Sequence, residues 1–111
     1  MSEAVWIVLC NCPDRQIAGR LAELAVKGRL AACVNRLSGV GSVYRWQGAI
    51  EQAEEFTLLF KTTAARYPEL ELFLVREHPH EVPEIIAWPI ERGSSAYLDW
   101  VRRETDGGAL A

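Results

Sequence analysis

The chain lacks the features that mark several common classes of protein. Its 111 residues include only two lysines, Lys27 and Lys61, and the formal net charge is -3, so we expect no nucleic-acid partner. No basic N-terminal stretch leads into a long apolar run, and no run is long enough to span a membrane, so we expect a cytoplasmic protein without a membrane partner. Three cysteines are an odd number, which argues against a disulfide framework.

Length and composition predict a single domain covering residues 1–111. Half of the residues are apolar and 24% are charged, which is close to the average for globular proteins. No internal repeat or linker divides the chain. The last residues, 105–111, are small and glycine-rich, and we expect them to fray.

The N-terminal part of the chain predicts a strand followed by a helix. Residues 4–12 form a short apolar run rich in β-branched and aromatic types, which is typical of a buried strand. Pro13 and Asp14 suit a first helical turn, where proline loses no hydrogen bond and a carboxylate complements the helix dipole. Gly28 predicts a left-handed end to a helix whose apolar positions are Ile17, Leu21 and Leu24.

Two long strands follow, and they predict an unusually long β-hairpin. Residues 30–44 and 50–63 both have strand character, and Gln47 and Gly48 supply the turn between them. The first of these strands contains two residues that suit a bulge, Gly39 and Gly41. Arms of about 14 residues would reach roughly 45 Å, against about 17 to 20 Å for an ordinary strand. Because one small domain cannot cover that length, the hairpin predicts an oligomer that pairs strands across chains.

The rest of the chain completes a ferredoxin-like α+β sandwich. A second helix carries four apolar residues on one face, Tyr67, Leu70, Phe73 and Leu74. Residues 84–90 predict a last strand, which Pro89 places at a sheet edge, and Ser94 or Ser95 caps a C-terminal helix. The order βαββαβ, with a long hairpin and an added helix, predicts an antiparallel sheet with its helices on one face.

Both histidines lie within residues 78–84, His-Pro-His-Glu-Val-Pro-Glu, which is the clearest chemical signal in the chain. The prolines favour extended backbone, which places His78 and His80 on one side, about 6 to 7 Å apart. This pair would need a local adjustment and a third ligand to hold a metal ion. Alternatively, one histidine binds a backbone carbonyl in an ordinary loop and the other is solvated.

The cysteines offer further ligands for such a site. Cys10 and Cys12 share one face of the first strand, and Cys12 adjoins a helix N-terminus, which favours a thiolate. Sulfur and imidazole together favour copper or zinc over magnesium or calcium. The alternative is that both cysteines are small apolar residues buried at a tight junction. Cys33, between Ala32 and Val34, is interpreted as a core residue.

Three other features each have two interpretations. Lys61 lies on an otherwise apolar strand, so it either faces solvent or lies beside an acidic group or a bound anion. The three glutamates within residues 51–55 predict a solvated rim, with coordination of a hard cation as the alternative. We interpret four aromatic residues as interface and core rather than a ligand cage, namely Tyr44, Trp46, Trp88 and Trp100.

Six short blocks of the chain, taken together, resemble one known family. They are residues 8–14, 30–35, 42–48, 59–63, 78–85 and 97–100. Their content and order are similar to those of the CutA family, the divalent-ion tolerance proteins, over residues 5–101. The resemblance implies a homotrimer of ferredoxin-like subunits whose long hairpins complete sheets between subunits. It implies no catalytic activity.

The resemblance also implies a site for copper or another divalent cation. Cys10 matches the cysteine ligand of the family, and His78 matches the histidine ligand before the proline. Glu77 stands where members with a fuller copper site carry another histidine, and His80 stands where tyrosine is usual. Both are therefore candidates for supporting ligands. We expect a trimeric metal-binding protein that contributes to metal tolerance.

The sequence also allows a different class of function. A trimeric signalling or scaffold module, similar to the nitrogen-regulatory PII proteins, would bind a small anion in the clefts between its subunits. The cleft residues would then be Lys61 with Tyr44, Trp46 and Glu84. An enzyme is not expected, because no third group is evident to orient a cysteine–histidine pair.

Overall fold

The computed structural model describes residues 3–106. Its elements are, in chain order, β1 (Val5–Cys12), α1 (Arg15–Lys27), β2 (Cys33–Trp46), β3 (Ala49–Thr63), α2 (Tyr67–Glu77), β4 (Ile85–Pro89) and α3 (Ser95–Glu104). This order confirms the predicted βαββαβ unit with an added C-terminal helix. Thr105, expected to fray, is instead buried, and its hydroxyl donates to the Val101 carbonyl (2.7 Å). The rest of the expected tail, residues 107–111, lies outside the described residues.

The four strands of the described residues form an antiparallel sheet in the order β2-β3-β1-β4. β1 lies between β3 and β4, and β4 lies at the edge, as Pro89 predicted. The first residue of β4, Ile85, pairs with Cys10. The segment that precedes β4 therefore reaches the end of β1 that carries two cysteines.

Helix α1 begins at Arg15, so Pro13 and Asp14 precede the first turn in which they were predicted, and the chain reverses one residue later than predicted. Asp14 is its N-cap, and a carboxylate oxygen accepts a backbone N–H of the first turn (2.8 Å). The left-handed residue is Arg29 (φ 60°) and not Gly28 (φ -86°), so the prediction for Gly28 was wrong. The Gly28 N–H still donates to the Leu24 carbonyl (3.0 Å), which continues the helical pattern through Gly28. None of the helices within residues 3–106 has the length and apolarity needed to cross a membrane.

β2 and β3 form the long hairpin that the sequence predicts. Trp46 pairs with Ala49, so Gln47 and Gly48 are a two-residue turn, and both have the positive φ (49° and 83°) of a type I′ turn. The pairing register shifts beside Gly39 (φ 70°), where a bulge was predicted. The longest dimension of the molecule is 47 Å, close to the length of roughly 45 Å expected for the hairpin.

The two faces of the sheet are covered by different helices. α1 and α2 pack on the face that carries Val8, Cys10 and Cys12, and together they form the main core. α3 packs in a separate cluster with Val5 and Ala32. Because side chains alternate along a strand, Val5 points to the opposite side of β1 from Val8, and α3 covers part of that second face. This differs from the expectation that all helices lie on one face.

The second face of the sheet leaves apolar side chains exposed beyond α3. We call this surface the open face, and it carries Leu37, Ile86 and Trp88. Ile86 and Trp88 lie opposite Leu9 and Ile7 of β1, which have the same orientation as Val5. The sheet therefore presents an apolar surface beside the long hairpin.

Candidate metal centre

Three side chains with metal-binding atoms converge at the end of β1. Cys10, Cys12 and His78 each place one ligand atom within 4.8 Å of the others. All three are buried, with exposed fractions of 0% for both cysteines and 7% for His78. Within residues 3–106, no other group of at least three histidine, cysteine, aspartate or glutamate side chains offers such a site. The structure therefore brings together two of the expected ligands, Cys10 and His78, and adds Cys12.

Pro79 explains how His78 reaches the cysteines. A residue before proline is disfavoured in helical conformation, and His78 has extended backbone (φ -77°, ψ 141°) at the end of α2. Its N–H still donates to the Leu74 carbonyl (2.9 Å), which fixes where the helix stops. The ring lies against the end of β1, and its Nε2 atom is 2.8 Å from the Asn11 carbonyl oxygen.

The two ring nitrogens of His78 have different roles. The backbone N–H of His80 donates to Nδ1 (3.0 Å), so Nδ1 carries no proton. The proton of the neutral ring is therefore on Nε2, which donates it to the Asn11 carbonyl. Burial lowers the pKa of His78, which keeps the ring neutral at pH 7. Either nitrogen must give up one hydrogen bond before it can bind a metal ion.

The two thiols differ in acidity. The neighbouring Cys12 side chain, together with burial, raises the pKa of Cys10, whose thiol donates to the Asn11 carbonyl (3.9 Å). The neighbouring Cys10 side chain lowers the pKa of Cys12, because a thiol beside the sulfur stabilises the thiolate. Cys12 therefore loses its proton before Cys10 does.

The other two expected ligands lie outside this cluster. The carboxylate of Glu77 binds the guanidinium groups of Arg20 (2.8 Å) and Arg76 (3.3 Å), which lower the pKa of Glu77. His80 is exposed, and its ring centroid lies 4.8 Å from that of His78. Of these two residues, His80 is the one that adjoins the centre.

A groove of about 740 Å³ lies between the distal hairpin and residues 79–84, and we call it the acidic groove. Its walls contain three of the four expected cleft residues, Tyr44, Trp46 and Glu84. The fourth, Lys61, lies elsewhere and donates a hydrogen bond to the side-chain oxygen of Asn35. The described lining has four glutamates and no lysine or arginine, so its charge disfavours an anion.

A family model described as CutA1 divalent ion tolerance protein matches residues 6–104. The chain belongs to the CutA1 family. The matched residues include both cysteines of the metal centre, His78 and the whole acidic groove, so these features lie in the part of the chain that the family shares.

Named CutA proteins are similar to this chain over most of its length. The divalent-cation tolerance protein CutA of Thermus thermophilus is 44% identical over 99 residues, which are 89% of this chain and 96% of that protein. Human protein CutA is 42% identical over 103 residues, and the match spans 93% of this chain and 58% of the human protein. A crystal structure of CutA from Xylella fastidiosa has a TM-score of 0.91 at 40% identity, covering 93% of this chain and 99% of that one. The fold and family predicted from the sequence are thus confirmed.

Cys12 is the member of the centre that was not placed in the expected ligand set. Resemblance to the CutA1 family pointed to one cysteine, Cys10, and Cys12 also had a simple packing interpretation. The sequence feature that could have identified Cys12 is its position two residues after Cys10, which puts both thiols on one side of β1. The missing information was that His78 lies over that same side.

Proposed function

We propose that this chain holds a soft metal cation with Cys10, Cys12 and His78 and contributes in this way to divalent-cation tolerance. The convergence of three buried ligand atoms within 4.8 Å carries the proposal. Thiolate sulfur and imidazole nitrogen are ligands that suit copper and zinc, and we propose copper as the preferred ion. The description of the family, divalent ion tolerance, agrees with a cation as the bound species.

Each of the three residues has a separate task in binding. Cys12 supplies the thiolate that forms most readily, because the neighbouring Cys10 side chain lowers its pKa. Because the pKa of Cys10 is raised, Cys10 would give up its proton only on binding the cation, so binding would be coupled to proton release. His78 exposes a lone pair by giving up its hydrogen bond with Asn11 or with His80.

We propose no catalytic role for this cluster. A nucleophilic thiol must meet its substrate, and both sulfur-bearing residues are fully buried. A general base needs a free lone pair directed at the nucleophile, and the Nδ1 lone pair of His78 accepts the N–H of His80. Ion binding requires only that a small cation reach the site.

The proposed assembly is a homotrimer. Its first support is the open face, where Ile86 and Trp88 are exposed. Its second support is the distal hairpin, where Val43 and Ile50 are exposed and belong to neither of the apolar clusters that the described helices form with the sheet. β2 is an edge strand of 14 residues, whose free side suits pairing with a strand of another subunit.

We propose that the protein acts in the cytoplasm. Cys10, Cys12 and Cys33 are all free thiols, and a reducing compartment keeps thiols available for a cation. We also propose that it has no nucleic-acid partner, since its net charge is -3. Cell fractionation tests the location, and recovery of the protein with periplasmic markers would contradict it.

Metal titration of the reduced protein tests the proposed centre. Cu(I) and Zn²⁺ affinities are measured by competition with a chromophoric chelator. Cys10→Ser, Cys12→Ser and His78→Ala should each weaken Cu(I) binding at least about tenfold, because each removes a direct ligand. Cys33→Ser is the matched control, since it removes a thiol outside the cluster, and should bind as the wild type does. Equal affinities for the wild type and a Cys10→Ser/Cys12→Ser double variant would exclude this site.

A further inference from the structure

Asn11 lies between the two cysteines of the metal centre and contacts both ends of the segment that follows α2. Its backbone carbonyl accepts the Nε2 proton of His78 (2.8 Å). Its side-chain nitrogen donates to a carboxylate oxygen of Glu84 (2.8 Å). Its side-chain oxygen accepts the Thr57 hydroxyl (2.6 Å), which orients the amide with its nitrogen toward Glu84. One residue therefore holds both ends of residues 78–84, which we call the strap.

The strap joins the end of α2 to the start of β4. The ladder between β1 and β4 ends at the pair Cys10–Ile85, and in the same register Glu84 lies opposite Asn11. The bond between these two side chains thus continues the pairing of the strands for one residue beyond the ladder. Both prolines of the strap restrict its backbone, so we expect its two anchored ends to move together.

The position of the strap decides whether the three ligands of the metal centre stay together. Cys10 and Cys12 have no exposed surface, and His78 exposes 7%. A cation can reach such buried atoms only when a nearby segment opens. Because the strap itself carries His78, its opening withdraws this ligand from the two thiols.

We propose that Asn11 and Glu84 are positioning residues of the metal centre, whose hydrogen bond keeps the strap closed on β1 and thereby sets the rate at which a cation enters and leaves. This inference rests on the proposed function, because it concerns the same three ligands. While the strap is closed, His78 stays beside the thiols and a bound cation is retained. Loss of the bond leaves every ligand in the chain but lets the strap open more often.

Reversal of the hydrogen bond tests the proposal at constant charge. Asn11→Asp replaces the donor by a carboxylate that repels Glu84, so the strap should open more often. The double variant Asn11→Asp/Glu84→Gln has the net charge of the wild type and restores a bond, since the new amide donates to the new carboxylate. The Thr57 hydroxyl keeps an acceptor in both variants.

Release of Cu(I) from the loaded full-length protein to an excess of chromophoric chelator measures the effect. Asn11→Asp should release Cu(I) about tenfold faster than the wild type, because a hydrogen bond to a charged group is lost. The double variant should return to within about twofold of the wild type. An influence through charge alone predicts slower release for Asn11→Asp, because an added negative charge retains a cation.

Two substitutions of Glu84 separate its hydrogen bond from its charge. Glu84→Ala and Glu84→Gln both remove a negative charge, but only the glutamine keeps an oxygen that accepts the Asn11 amide. Glu84→Ala should therefore release Cu(I) about fivefold faster than Glu84→Gln. Glu81 is the matched control, because its carboxylate has no hydrogen bond or ion pair within residues 3–106. Glu81→Ala and Glu81→Gln should release Cu(I) at the same rate.

Hydrogen exchange of the metal-free protein reports on the strap without any cation. The backbone N–H of His80 donates to the His78 ring, so its exchange requires that this contact open. Exchange of this N–H should be about tenfold faster in Asn11→Asp than in the wild type, and the double variant with Glu84→Gln should restore the slow rate.

Four results would overturn the inference. The first is wild-type release and wild-type His80 exchange in Asn11→Asp, and the second is slower release by that variant. The third is equal release by Glu84→Ala and Glu84→Gln. The fourth is faster release only in variants whose sedimenting mass also changes, because the bond would then act through contacts between subunits.

Failure of the proposed function gives a different result. If the Cys10→Ser/Cys12→Ser double variant binds Cu(I) as the wild type does, the metal centre itself is excluded. If that variant loses binding while Asn11→Asp releases Cu(I) as the wild type does, the metal centre stands and the role of Asn11 is excluded.

Discussion

Trp88→Ala tests the proposed trimer through the open face of the sheet. Trp88 exposes 42% of its surface in the isolated subunit. Since a tryptophan presents up to about 250 Å², roughly 100 Å² is available for burial by another subunit. At about 25 cal/mol per Å², this burial stabilises the assembly by roughly 2.5 kcal/mol per subunit. A closed trimer loses that amount at each of its three interfaces, about 7.5 kcal/mol in total, or roughly five powers of ten in the association constant.

Sedimentation velocity over a range of concentrations measures this effect. The wild type should sediment as three times 12.4 kDa, and Trp88→Ala should dissociate toward 12.4 kDa at concentrations where the wild type stays intact. Leu72→Ala is the matched control, because Leu72 is 67% exposed on α2, away from the open face, and its loss should not change the mass. The reasoning fails if Trp88→Ala remains trimeric at every concentration, or if the wild type is a folded monomer.

Two further predictions concern the stability of the metal-free protein. Burial lowers the pKa of His78 below its usual 6.5, so its contribution to the free energy of unfolding is complete above pH 6.5 and is lost as pH falls through the folded-state pKa. Urea midpoints should therefore drop more for the wild type than for His78→Gln between about pH 7.5 and pH 5, and equal drops would contradict this. Gly48→Ala puts a Cβ on a residue with φ 83° and should lower the free energy of unfolding by about 1 to 2 kcal/mol, as measured by urea unfolding. Gly41→Ala is the control: there is open space around the added Cβ, and the free energy of unfolding should fall by less.

The hairpin turn could be predicted because it depends on the preferences of its own residues. The end of α1 could not, because it depends on a contact with the core. Gln47 and Gly48 define a two-residue turn by their own conformational preferences, and the structure has that turn. Gly28 has the same preference for positive φ, yet Arg29 adopts it. Leu30 packs against the main core, and its N–H donates to a carbonyl of α1, so the point of reversal depends on where Leu30 enters the core.

The metal centre could be predicted only in part, because it too depends on contacts between residues that are distant in sequence. Strand alternation alone puts Cys10 and Cys12 on one face. His78 is 67 residues from Asn11 in sequence, and only the fold shows that its ring reaches the end of β1. Glu77 has the chemistry of a ligand, but Arg20, 57 residues away, binds its carboxylate. A residue's neighbours in sequence do not reveal such a partner.

Hydrogen bonds engage two of the ligand residues of the metal centre, Cys10 and His78. The Cys10 thiol and the His78 ring both donate to the Asn11 carbonyl, and the His80 N–H donates to the ring. No buried side-chain nitrogen or oxygen within residues 3–106 lacks a partner. A bound cation replaces such bonds, each worth about 1 kcal/mol net, so they subtract from its affinity. Because Cys12 already favours its thiolate and His78 is held by two bonds, we expect Cys12 to bind first and His78 to close the site.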